Sequence, residues 1–65
     1  MTFTEKDLIA YVQELVDELH EHEKQYEYDE FTESLIHSIM SCESMIEALT
    51  GKSVAVQMNG KVTIG

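Results

Sequence analysis

Apolar residues recur at helical spacing twice along this chain, from Leu8 to Tyr26 and again from Phe31 to Leu49, and the period then changes. Leu8, Val12, Leu15, Leu19, His22 and Tyr26 form the first row, and Ile9, Tyr11 and Val16 widen it on both sides. At 3.6 residues per turn such a row gathers on one side of an α-helix. Thr4 ahead of Glu5, Lys6 and Asp7 supplies a capping side chain and an acidic first turn, so a helix is expected over about residues 4–25. Its apolar arc covers nearly half the circumference. A single antiparallel partner needs a narrower seam, so this helix should have more than one neighbour.

The second row is Phe31, Leu35, Ile39, Cys42, Met45, Ile46 and Leu49, with Ile36 and Met40 forming a smaller patch to one side. Asp29 or Thr32 is the expected cap, and Thr50-Gly51 the stop, of a helix over about residues 30–50. Only Tyr26, Glu27, Tyr28 and Asp29 separate the two helices. A connection that short makes them an antiparallel hairpin.

Beyond Gly51 the pattern becomes β-prone: Ser53 to Met58 and Lys61 to Ile64, joined by Asn59-Gly60. Asn-Gly between such runs signals a two-residue type I′ turn and a β-hairpin over about residues 53–64. That turn would pair Met58 with Lys61 and Val56 with Thr63, placing Val54, Val56 and Met58 on one face. Ala55, Val62 and Ile64 would share the other, leaving two partly apolar faces. The expected fold class is α+β, a single domain over residues 1–65: an antiparallel helical hairpin followed by a C-terminal β-hairpin.

A 65-residue chain buries only about 60% of its unfolded surface, and one small core rarely yields more than ~3–5 kcal/mol. Folds of this size usually add a staple. Cys42 is the only cysteine, so an internal disulfide and a cysteine-based zinc site are both ruled out. Two-faced strands, wide helical arcs and the missing staple together point to a homo-oligomer, a dimer being the expectation.

Thirteen acidic residues against four lysines and no arginine give a formal charge of −9. Phosphate backbones are bound through Lys and Arg, so direct contact with nucleic acid is not expected, and adhesion to an anionic membrane is disfavoured. No basic segment followed by an apolar run opens the chain and no stretch is long enough to span a bilayer, which leads to a cytoplasmic expectation with a reduced thiol.

The acids concentrate between Glu14 and Glu33, where Lys24 is the one opposing charge. A solvated face is the plainer account of them. Against it, Glu14/Glu18, Asp17/Glu21 and Glu23/Glu27 are like-charge neighbours at i,i+4, each costing a few tenths of a kcal/mol. A field aimed at a basic surface would justify that cost, with Glu18, Glu21, Glu27 and Glu30 as its candidate residues. Tyr26 and Tyr28 among them, and the Ile36–Met40 patch, are the candidate apolar contacts. Asp17, His20, Glu33 and His37 are the conceivable metal ligands. Asp17 and His37 should point away from the seam, however, and His22 should sit at the rim of the hairpin tip. Cys42 is expected as a small buried hydrophobe. Met40, Met45 and Met58 are expected as core or interface filler, and Met1 as the initiator.

No phosphate loop, nucleophile elbow, paired-histidine zinc helix or calcium loop is present. The expected function is therefore non-enzymatic, with no cofactor: an inhibitor or adaptor that occupies the surface of a larger protein, as small acidic phage and prophage antagonists do. That analogy rests on size and charge alone. Nucleic-acid mimicry through the acidic segment is a sharper version. The alternatives are a metal-binding or metal-sensing protein and a structural subunit of a larger assembly.

Overall fold

The computed structural model describes residues 4–65; Met1 lies outside them. Helix α1 runs Glu5–Gln25 and helix α2 runs Glu30–Thr50. Strands β1 (Val54–Val56) and β2 (Val62–Ile64) pair antiparallel as a two-stranded sheet. The α+β order of helical hairpin and β-hairpin is thus the observed one.

Both helices start in a capping box. Thr4 accepts from the Asp7 N–H while the Asp7 carboxylate accepts from the Thr4 N–H. Asp29 and Thr32 repeat the exchange for α2, which makes Asp29 the cap and Thr32 its third-position partner. Gly51 closes α2 in the left-handed conformation, at φ 73°. The turn between the helices needs no glycine. Tyr26 and Asp29 are both extended, and the Tyr26 N–H still reaches the His22 carbonyl.

The β-hairpin register differs by one residue from the type I′ expectation. Val56 faces Val62, Ala55 faces Thr63, and Val54 faces Ile64. Asn59 does not take the positive φ that a type I′ turn requires; Gly60 alone does, at 85°. The connection is a three-residue loop, Met58-Asn59-Gly60. The Gly60 N–H donates to the Gln57 carbonyl, and the Gln57 N–H donates to the Lys61 carbonyl. The Asn59 side chain accepts from the Lys61 N–H at 3.0 Å, stabilising this turn over the alternative.

A one-residue slip moves a whole strand's side chains to the opposite face. Here it gathers Val54, Val56, Val62 and Ile64 on a single face, with Ala55 and Thr63 opposite. The expected second apolar face of the sheet does not exist. Met58, expected in a strand, stands fully exposed at the loop tip.

Strand β2 lies along α1 and β1 along α2. The buried core is Val12, Val16, Ile39, Ile46 and Val62, with Leu8, Ile9, Leu15, Leu19, Cys42, Val54 and Ile64 partly covered around it. Val16, at the margin of the sequence stripe, is at its centre because the sheet covers that flank. The other flank goes uncovered: Tyr11, Phe31, Met45 and Leu49 are exposed despite belonging to the expected apolar rows. Among the described residues, no helix is long and apolar enough to cross a membrane.

Candidate partner-binding surface

The side patch of Ile36 and Met40 lines a groove of about 270 Å³ between α1, α2 and the end of β1. Val16 and Leu19 contribute from α1, Ile39 forms part of the floor, and Val56 closes the groove from the sheet. Met40 is 59% exposed and Ile36 half-buried. Glu43 is part of the lining. Glu33, Glu43 and Glu47 fall at i−3, i+7 and i+11 from Ile36, which puts all three on the same side of α2 as the patch. The groove is apolar at its base, and Glu43 is the one carboxylate in its lining.

His20 lines the same groove, and its ring is set by an unusual neighbour. A Cβ built on Gly60 would come within 2.7 Å of His20 Cε1. Directly beside it, Gln13 holds the hairpin loop from α1. Its Nε2 donates to the Gly60 carbonyl at 2.7 Å and its Oε1 accepts from the Val62 N–H at 2.8 Å. One carboxamide thereby satisfies two backbone groups flanking Lys61, as a residue of a third strand would. Nε2 lies also 3.0 Å from Asp17 Oδ1. This clamp fixes where Val56 stands over the groove.

The four conceivable metal ligands do not converge. His20 faces Gly60, Asp17 accepts from Gln13, and His37 lies on the outer side of α2 with its Nε2 3.8 Å from Glu33. Among the described residues no group of three or more His, Cys, Asp and Glu is placed to hold an ion.

Of the acidic candidates, Glu18, Glu21, Glu27 and Glu30 are all exposed. Glu21 is partly neutralised by Lys24 at 3.1 Å. Glu27 lies in the interhelical turn, so its expected i,i+4 helical relation to Glu23 is not formed. Glu30 and Glu33 border a shallow polar depression with Ser34, His37 and Ser38 on the outer side of α2.

Tyr26 and Tyr28 are exposed at the hairpin tip, and Tyr26 stacks on the His22 ring at 4.8 Å. Phe31 is tilted against the same ring, also at 4.8 Å. His22 Nε2 meets both Asp29 carboxylate oxygens, at 3.0 and 3.1 Å. The Thr32 N–H holds the Asp29 carboxyl below its ordinary pKa; partial desolvation opposes this, and His22 and the Thr32 hydroxyl assist it. Cys42 is half-buried, and that burial raises its thiol pKa.

Comparison with protein-family models, with curated proteins and with solved structures finds no match.

Proposed function

We propose that this chain is a protein-binding module, an inhibitor or adaptor, whose groove between α1, α2 and β1 receives an apolar side chain from a segment that also carries Lys or Arg. One observation carries this reading: exposed Met40 and half-buried Ile36 sit over an apolar groove, with Glu33, Glu43 and Glu47 on the same side of α2. Methionine adapts to varied partner shapes, while a desolvated apolar anchor supplies affinity and surrounding charge supplies steering. The exposed acids Glu18, Glu21, Glu27 and Glu30 extend the negative field past the groove, and Tyr26 and Tyr28 offer contacts at its tip end. The role is non-catalytic, and antagonism of a larger protein is its most economical form. In the mimicry version the partner's basic surface is one that otherwise holds nucleic acid.

Affinity capture from host extract, comparing wild type with Met40→Glu and with a Glu18/Glu21/Glu27/Glu30→Gln variant, tests it. A partner held by wild type should be lost with Met40→Glu. Its association rate should fall as salt rises, because exposed charges are screened over ~8 Å at physiological ionic strength. The four-Gln variant should show slower association and a weaker salt dependence. Competition by excess DNA or RNA would support mimicry. A partner retained equally by every variant at every salt concentration would overturn the reading and leave a structural subunit as the better account.

A further inference from the structure

We propose that the flank of the helical hairpin turned away from the sheet is the contact between two copies of this chain. Its centre is a groove of about 360 Å³ lined by Leu8 and Tyr11 of α1, Met45 and Leu49 of α2, and Asp7 at its edge. Tyr11 is 56% exposed, Met45 49%, Leu49 69%, and Phe31 further along the same flank 46%. With full-sized side chains of this kind presenting ~150–250 Å² each, these four leave roughly 400 Å² of apolar side chain in water. That falls within the ~300–600 Å² of the largest apolar patch on a typical monomer, a size that is often functional. Leu8, Leu15 and Cys42, half-buried beside them, would add to the covered area. The total approaches the apolar part of the ~800 Å² that each partner contributes to a stable interface.

Charge limits how two copies can meet. Two chains of formal charge −9 repel wherever their acidic faces meet. Within α2, the residues on this flank from Ser34 to Leu49 are Ser34, Ser38, Ser41, Cys42, Met45 and Leu49, and none is charged. Two identical acidic chains can therefore oppose the α2 halves of this flank without facing carboxylates. On α1, Asp7 edges the groove and Glu14 and Glu18 follow Tyr11 at i+3 and i+7. The first-row residues of both helices then become core positions of a four-helix arrangement, with the sheets outside. This also accounts for apolar rows too wide for the monomer to bury. The flank is opposite the Ile36–Met40 groove, so dimerisation leaves that groove open.

Light scattering over a concentration series, with circular dichroism as the control for folding, tests the assignment. Wild type should show twice the 7.4 kDa chain mass at micromolar concentration. Met45→Glu/Leu49→Glu should shift it to the single-chain mass with helicity retained, since both side chains are exposed in the monomer. Tyr11→Glu, on the other helix, should do the same. Met40→Glu should leave the dimer intact. A wild-type monomer at every concentration overturns the proposal, whatever else then covers the groove. A dimer that survives all the flank variants but is broken by Met40→Glu overturns it equally.

Discussion

His20 stands so close over Gly60 that an added Cβ would lie 2.7 Å from Cε1 and 3.0 Å from Nδ1 of the ring, and the exposed imidazole would have to move aside. Gly60 also has φ 85°, so it is constrained twice, by backbone conformation and by contact.

Gly51 provides the comparison. It has φ 73°, but a Cβ added there would meet nothing within 4 Å. Gly51→Ala should cost roughly 1–2 kcal/mol, the left-handed penalty alone. Gly60→Ala should cost distinctly more, because the imidazole must also move, and Gly60→Val should abolish cooperative unfolding. Thermal melts of the three variants rank these effects. Adding His20→Ala to Gly60→Ala should recover part of the loss, giving a coupling a double-mutant cycle can measure. Equal losses at both glycines would show that the His20 contact carries no energy.

The Gln13 clamp gives a second expectation. Gln13→Glu keeps an acceptor for the Val62 N–H but loses the donor to the Gly60 carbonyl. It also places a carboxylate beside that carbonyl and near Asp17. Leaving a part-buried carbonyl unpaired costs ~1–3 kcal/mol. Amide exchange at Val62 should accelerate in Gln13→Glu and Gln13→Ala, and helix exchange in the centre of α1 should change less. Unaltered protection at Val62 would mean the clamp is dispensable.

What the sequence makes legible follows from the range of each interaction. Helix ends, the four-residue turn and Gly51 depend on neighbours a few positions apart, and Thr4, Asp29 and Gly51 announce them. The hairpin register depends on contacts 47 to 49 residues away through Gln13. Asn59-Gly60 alone therefore suggests the wrong turn. Val16 shifts from margin to centre, and Met45 and Leu49 from core to surface, because the sheet covers one flank of the helices. Helical periodicity reveals an apolar arc without revealing which half the rest of the chain will cover. The Ile36–Met40 patch is visible in the sequence as an isolated pair. Its neighbours Leu19 and Val56 come from other elements, and only Glu33, Glu43 and Glu47 can be found by stepping along α2.

Acid should act on the hairpin tip through Asp29. Its carboxyl is held below its ordinary pKa in the fold, so the folded state binds fewer protons there than the unfolded state. The associated stabilisation is present above the unfolded value near ~3.9 and is lost as pH falls through the lower, folded value. Asp29→Asn keeps a capping oxygen for the Thr32 N–H but cannot titrate. Urea unfolding between pH 2 and 6 should show the wild type losing its advantage over Asp29→Asn as pH drops. A constant difference across that range would remove Asp29 from the acid response.

The last expectation separates repulsion within the chain from anything a partner contributes. Glu14/Glu18 and Asp17/Glu21 are i,i+4 pairs of like charge within α1, on residues that are all exposed. Among these four, Lys24 offsets Glu21. Each pair should cost a few tenths of a kcal/mol in dilute buffer and less at high ionic strength. Raising sodium chloride from low concentration to ~0.5 M should therefore raise the wild-type Tm by a few degrees, since ~1 kcal/mol corresponds to roughly 4–8 °C at this size. Glu18→Gln/Glu21→Gln should already be more stable at low salt and gain less from added salt, even though it gives up the Lys24 contact. A variant that is less stable than wild type at low salt would show that the Lys24–Glu21 pair outweighs the repulsion. The acids of α1 would then be stabilising in the isolated protein, and no partner would be needed to explain their number.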